Sequence, residues 1–374
     1  MKIQKIELFE VHLPYSGGSY ELSGGRLYTG FDSVVVCITA DDGTEGWGES
    51  TPFGATYIAS HARGARAGIE EMAPHLIGRD PRDVERINDA MDEALAGHNH
   101  AKSAIDLACW DLFGKSVNLP VYKLLGGGTG RRLPVISSIY AGTPEDMRAR
   151  VAEHRKMGYL GHSIKIGAHD REGGPRLDAE RISASLADRQ AGEYFIVDAN
   201  GGLIPETALR MLRALPSDLD FVLEAPCATW RETVSLRQRC DVPIIIDELG
   251  QQDSDMATIV AHDIADGIGL KISKAGGLTP ARRHRDICRA AGLTISVQDT
   301  VGSTLSAASI FHMGATVPDR LLRCVLDPRD MVTVQTGAFE APIKDGGVLP
   351  PDAPGLGVRV DRQILGSALH CWEA

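Results

Sequence analysis

Three apolar runs in this chain end in an acid. Asp198 closes Phe195-Ile196-Val197, Glu224 closes Phe221-Val222-Leu223, and Asp247 closes Ile244-Ile245-Ile246. A carboxylate directly behind a buried apolar run is costly unless it is paired or bound to a cation. For one acid, capping of the next helix or a basic partner is reason enough. Three on consecutive strands at one depth point to a shared cation. An all-oxygen set suits a hard ion, Mg²⁺, with water and substrate completing the octahedron.

Two further runs end in lysine: Ser163-Ile164-Lys165-Ile166 and Leu270-Lys271-Ile272. Period-two alternation puts Ile164, Ile166, Leu270 and Ile272 on one face and Lys165, Lys271 and Ser163 on the other. The lysines are either salt-bridge partners of the acids or proton carriers. Their placement on both sides of the acid triad favours proton transfer, with burial and a nearby cation lowering the ammonium pKa so that a neutral amine can act as base. The chemistry that needs these parts is removal of a proton from the carbon next to a carboxylate. A metal stabilises the enediolate, one lysine takes the proton, and the product is an epimer or, where a β-hydroxyl leaves, a dehydrated acid.

The elements that must position these groups repeat. Strand-like runs at 134–140, 162–167, 194–200, 221–226, 243–249, 267–273, 294–299 and 321–326 alternate with amphipathic helices such as 144–157, 205–215, 279–291 and 304–313. That order predicts a closed parallel (β/α)₈ barrel of TIM type, with an open doubly wound sheet as the structural alternative, and places active groups at strand C-termini. Ahead of it, strands at 3–13, 33–40 and 44–49 and helices at 58–76, 81–95 and 101–117 read as an α+β capping domain. Residues 14–32 have no period and read as a long functional loop. The expected division is a cap over 1–127, a barrel over 128–327 and a C-terminal segment over 328–374 that returns to the cap.

Several motifs together resemble the enolase superfamily, in its muconate-lactonizing/mandelate-racemase branch. They are Ala104-Ile105-Asp106-Leu107-Ala108-Cys109-Trp110-Asp111, Leu124-Leu125-Gly126-Gly127, the acids with Asn200 and Glu248 behind them, and Lys271 with Lys274-Ala275-Gly276-Gly277. The resemblance covers nearly the whole chain. It implies metal ligation by Asp198, Glu224 and Asp247, with Asn200 supporting them, and proton transfer by Lys165. The branch usually carries Lys-x-Lys on the second strand, and here the first member is Ser163. The missing cation leaves room for a substrate with its own positive charge. Residues 97–104, the flap Thr51–His61 and Gln298-Asp299-Thr300 are similar to members that process proline and betaines. A cyclic amino acid is thus implied: dehydration of a 3-hydroxyproline, or epimerisation of a 4-hydroxyproline or betaine. Asp299 and Thr300 would meet the ring ammonium and Tyr57 would close over the ring. By alternation alone, Gln298 rather than Asp299 could face inward.

Composition limits the alternatives. A formal net charge of -11 over 374 residues argues against a nucleic-acid or membrane surface. Seven cysteines without a CxxC pair predict free thiols and a cytoplasmic protein. No apolar signal core follows Met1. The resemblance implies a homo-oligomer. A non-catalytic barrel is disfavoured because neither the triad nor the lysine pair is degraded, and a sugar-acid dehydratase because no histidine stands at the seventh strand's end.

Overall fold

The computed structural model describes residues 1–22 and 25–374. The first strands are β1 (Ile3–Pro14), β4 (Gly30–Ala40) and β5 (Glu45–Ser50), an antiparallel sheet with β1 beside β4 and β4 beside β5. Val34 to Ile38 are all buried. This run is covered on both faces, which is why it lacks the polar alternation of a half-exposed strand. The C-terminal strand His370–Glu373 pairs with the free edge of β1, so the tail does return to the cap.

Helix Asn99–Ser116 lies against β5. The strand sequence Glu45-Gly46-Trp47-Gly48 accounts for how closely. A Cβ on Gly48 would meet the carbonyl oxygen of Ala104 at 2.1 Å. The expected loop over 14–32 instead contains a short hairpin, β2 (Tyr20–Leu22) with β3 (Arg26–Tyr28). Its strands are too short for periodicity to register. Ser23 and Gly24 of that loop lie outside the described residues. The expected helix over 58–76 is confined to Ala62–Met72 and a short 3₁₀ turn, Ala73–His75. Residues 58–60 belong to the flap, and His61 caps the helix by accepting from the Gly64 amide at 3.1 Å.

The remaining chain closes an eight-stranded parallel barrel: β6 (Leu133–Ile139), β7 (Gly161–Lys165), β8 (Tyr194–Asp198), β9 (Val222–Glu224), β10 (Ile244–Ile246), β11 (Gly267–Lys271), β12 (Thr294–Gln298) and β13 (Leu322–Leu326), with β13 pairing back to β6. Two separate apolar clusters record the alternation. Ile164, Ile166, Leu270 and Ile272 lie in the large outer cluster. Ile136, Ile196, Val222 and Ile245 form a small inner one. Asp198, Glu224 and Asp247 share the parity of the inner residues, so the strands lift them into the barrel mouth. All seven cysteines are free.

Two buried carboxylates, Glu49 and Asp106, join cap to barrel, and a third, Asp111, joins the cap to the C-terminal segment. Glu49, at the end of β5, accepts from the Ser303 amide (2.9 Å) and hydroxyl (2.8 Å) and from the Ser306 amide (3.3 Å), at the N-terminus of helix Thr304–Ala315. It also accepts from Ser33 at 3.1 Å and Thr51 at 3.3 Å. Asp106 accepts from Asn88 at 2.7 Å and from the Thr279 amide at 3.1 Å. Its approach requires Gly277, where a Cβ would meet Asp106 Oδ2 at 2.3 Å. Asp111 accepts from the amides of Trp47 (2.9 Å) and Leu356 (2.8 Å). An anion at a helix N-terminus is stabilised by the unpaired amides there. Glu49→Ala strands several buried donors, and we expect it to lower unfolding free energy by roughly 3 kcal/mol, measured by urea denaturation. An unchanged midpoint would refute the tie.

Candidate active site

The register of the barrel sets the depth of each group. Lys165 pairs with Asp198 across β7 and β8, and Asp198 with Glu224 across β8 and β9. Glu224 then pairs with Ile245, which places Asp247 two residues further along. The acids therefore do not lie at one depth by register; strand tilt and barrel shear step them upward around the mouth. Lys271 stands level with Gln298 on the far side.

The lysines are where alternation predicts. Lys165 donates to Asp198 Oδ2, with Asp198 almost fully buried. Lys271 Nζ lies 2.5 Å from Asp247 Oδ2 and donates to the Tyr57 hydroxyl. Tyr57 in turn donates to Asp247 Oδ2 at 3.3 Å. Lys274 is a third ammonium, one that the sequence motif contains without revealing its place. It donates to Asp247 Oδ1 at 2.8 Å and to the Gly269 carbonyl at 3.2 Å. It sits in the short helix Ile272–Ala275, where no strand period could orient it.

Asn200 is hydrogen-bonded to Asp198. Its amide donates to Oδ1 at 2.8 Å and its side chain to Oδ2 at 3.0 Å, while the same Nδ2 reaches Glu248 at 3.0 Å. Asn200 and Ala225, just past two strand ends, have φ of 44° and 42°. These left-handed residues stop β8 and β9 two residues earlier than expected. For Ala225 that conformation is strained, which is common beside functional groups.

Gln298 settles the parity question at the seventh strand: its Nε2 donates to Glu224 Oε1 at 3.1 Å, inside the barrel. Asp299 follows where the chain turns. Its carboxylate accepts from the Ser273 hydroxyl (2.7 Å), the Ser273 amide (3.1 Å) and the Thr300 amide (2.7 Å). Burial pushes its pKa up to about 6 against those hydrogen bonds. Thr300 donates to the Thr51 carbonyl, fastening the base of the flap. Lys165, Lys271, Ser163, Asn200, Asp299, Thr300, Gln298 and Tyr57 line one cavity of about 40 Å³ with Tyr20 and Ser138. Tyr20 and Ser138 carry no readable signal in the sequence, Tyr20 because its loop has no period.

The cavity roof is aromatic. Phe53 meets Tyr57, Tyr20 and Tyr28 at ring-centroid distances of 5.4, 5.5 and 4.8 Å. Tyr28 and Thr56 share a 2.7 Å hydroxyl contact. Flap and hairpin thus close over the mouth together.

Comparison with known proteins agrees with this architecture. Residues 29–126 match the mandelate racemase/muconate lactonizing enzyme N-terminal domain, and residues 146–364 the enolase C-terminal domain-like model. The chain is 37% identical over 98% of both lengths to a cis-3-hydroxy-L-proline dehydratase of Roseibium aggregatum. It is 31% identical over 84% of both lengths to an N-succinyl-L-Arg/Lys racemase of Bacillus cereus. A solved structure of the mandelate racemase/muconate lactonizing type from Roseovarius nubinhibens, complexed with magnesium, superposes with a TM-score of 0.98 at 53% identity over 100% of both chains.

The electrostatics depart from one expectation. Burial works to lower the Lys165 and Lys271 ammonium pKa values, but Asp198 beside the first and Asp247 beside the second outweigh it, and both shift upward. The expected lowering needs a neighbouring cation, and here each lysine faces a carboxylate. Among the described residues, no three acidic, histidine or cysteine side chains are drawn together closely enough to hold a metal. Yet the donor set fits a hard cation. Burial, with Asp198 and Asp247 nearby, pushes the Glu224 carboxyl upward. A carboxyl so crowded by other carboxylates is one that a divalent ion would relieve. In chelator-treated protein the lysines alone must balance the acids. We expect Lys274→Met to destabilise that form by about 3 kcal/mol, the order found when one partner of a buried pair is removed. Equal urea midpoints for variant and parent would show that Lys274 carries none of this balance.

Proposed function

Because this chain belongs to the enolase superfamily, in its mandelate racemase/muconate-lactonizing branch, we propose that it removes the α-proton of a cyclic amino acid and expels a β-hydroxyl as water. The substrate of this reading is cis-3-hydroxy-L-proline and the product Δ1-pyrroline-2-carboxylate. The carrying observation is that Lys165 and Lys271 line one cavity from different strands. The dehydratase relative, similar along 98% of the chain, supports the substrate class.

Asp198, Glu224 and Asp247 would hold Mg²⁺, which when bound supplies charge to stabilise an enediolate. The chain's own residues do the rest. Lys165 and Lys271 carry the protons that move in the reaction. Asn200 fixes Asp198. The roof of Phe53 and Tyr57 excludes water and raises the strength of every charge interaction beneath it. Ser163, in place of a second lysine, leaves that side of the cavity without another cation, which suits a ring ammonium. Asp299 and Thr300, buried in the cavity wall, would be the residues that meet such an ammonium.

Two lysines also support a second reaction, 2-epimerisation of 4-hydroxyproline or a proline betaine, where no β-hydroxyl can leave. We further take the protein to be a cytoplasmic homo-oligomer, with the cap over 1–127, the barrel over 128–327 and the tail over 328–374. No helix among the described residues is long and apolar enough to cross a membrane.

Proton NMR in D₂O with Mg²⁺ and cis-3-hydroxy-L-proline tests the main reading. The expected outcome is ring product, lost by at least about a hundredfold in Lys165→Met and Lys271→Met, the scale of a removed general acid or base. Absence of both product and α-deuterium in the parent enzyme would sink it. Magnesium dependence is checked separately: Mg²⁺ should raise the melting temperature of the parent and not of Glu224→Gln.

A further inference from the structure

Two sides of the cavity differ in what they offer a substrate. On the Lys271 side stands Tyr57, whose hydroxyl is already engaged by Lys271 and Asp247. On the Lys165 side stand three hydroxyls. Ser138 and Ser163 are partners in register across β6 and β7. Tyr20, carried on the hairpin, shares a 2.6 Å hydroxyl contact with Ser138. Tyr20 is 2% exposed. Its ring is wedged edge-on against Tyr15 at 5.3 Å and Phe53 at 5.5 Å. That packing fixes where the hydroxyl points. All three hydroxyls line the cavity that contains both lysines.

Stereochemistry assigns a use to this asymmetry, given the reading above, on which it rests. In a cis-3-hydroxy ring acid the hydroxyl and the carboxylate share a face. The α-hydrogen and the hydroxyl therefore lie on opposite faces. A base on one side must be matched by leaving-group partners on the other.

We propose that Tyr20 is a catalytic residue whose hydroxyl, backed by Ser138, binds the departing 3-hydroxyl on the Lys165 face while Lys271 removes the α-proton from the opposite face. In this step the Cα–H bond breaks and its proton goes to the Lys271 amine. The electron pair left on the carboxylate-conjugated carbon forms the Cα–Cβ double bond as the Cβ–O bond breaks. The oxygen leaves with a proton from the Lys165 ammonium and departs as water, with no oxidant or reductant needed. Tyr20 donates a hydrogen bond to the oxygen as negative charge builds on it, the point at which such a bond is strongest. A hydroxyl so placed decides the fate of the enediolate, which either expels the oxygen or takes a proton back.

The experiment is a partition measurement with cis-3-hydroxy-L-proline in D₂O, using magnesium-loaded enzyme. The readout is the ratio of α-deuterium in recovered substrate to ring product formed. Tyr20→Phe keeps the ring and its packing and removes only the hydroxyl. We expect it to raise this ratio about tenfold or more, the scale of a lost charge-assisted hydrogen bond. Ser138→Ala, which leaves the ring of Tyr20 in place, should shift the ratio in the same direction by roughly threefold. A ratio unchanged in both variants, whatever the total rate, would mean that Tyr20 only shapes the pocket and would overturn the proposal while leaving the reaction intact. A parent enzyme that neither exchanges nor dehydrates the substrate would instead remove the functional reading itself, and this inference with it.

Discussion

Charge balance in the barrel mouth is the constraint on which the site depends. Asp198, Glu224 and Asp247 are each at most 2% exposed. Three ammonium groups, on Lys165, Lys271 and Lys274, stand among them, and two of these converge on Asp247. Unpaired charges at this depth would cost several kcal/mol each. The barrel can hold the acids only because the lysines, or a cation, are there. The same balance makes the site responsive. Whatever cation engages the carboxylates takes partners from the lysines, and a lysine without its carboxylate is nearer the neutral amine that proton transfer needs.

The second constraint is the seat of the cap. Glu49, Asp106 and Asp111 each carry hydrogen bonds between segments far apart in sequence. Glu49 lies at the end of β5, two residues before Thr51, where the flap begins. Its bonds to Ser303 fix that end on the barrel, and the Thr300 hydroxyl holds the Thr51 carbonyl beside it. The start of the flap is thus set by the same strand end, Gln298 to Ser303, that supplies part of the cavity wall. The lysines and the acids come from the barrel and the roof from the cap, and buried carboxylates keep the two in register.

The division between what is legible in the sequence and what is not follows these physics. Lys165, Lys271 and the three acids can be read because a buried parallel strand forces strict alternation, and a charged residue on the inner parity must find a partner or a ligand inside the barrel. Asn200 can be read because it follows Asp198 within the same motif. The apolar pattern overextends the strand ends because Asn200 and Ala225 turn left-handed, and Ala225 gives no compositional warning of it. The depth of Asp247 escapes the pattern because shear is a property of the closed sheet, invisible in any one strand. Lys274 sits on a helical turn and Tyr20 on a three-residue strand, and neither offers a period to count. Ile58 and Ala59 of the flap resemble the start of a helix, but the helix begins only at Ala62, behind its His61 cap.

The roof itself is held by two kinds of contact, and Tyr57 and Phe53 bound the cavity of about 40 Å³ beneath it. The contacts divide into two sets. Those at Glu49 and Thr51 are buried and join the flap's base to the barrel. Those farther along include Tyr57 to Asp247 and Lys271, the hydroxyl contact of Thr56 with Tyr28, and Arg26 donating to the Thr56 carbonyl. Gly54, at φ 152°, lies between the two sets. The first set ties the flap to the barrel below it, and the second ties Tyr57 to Lys271 and Asp247 and Thr56 to the hairpin. A barrel that must keep buried charges in balance gains from this arrangement, because the hydroxyl that completes the environment of Lys271 belongs to the same segment that roofs the cavity.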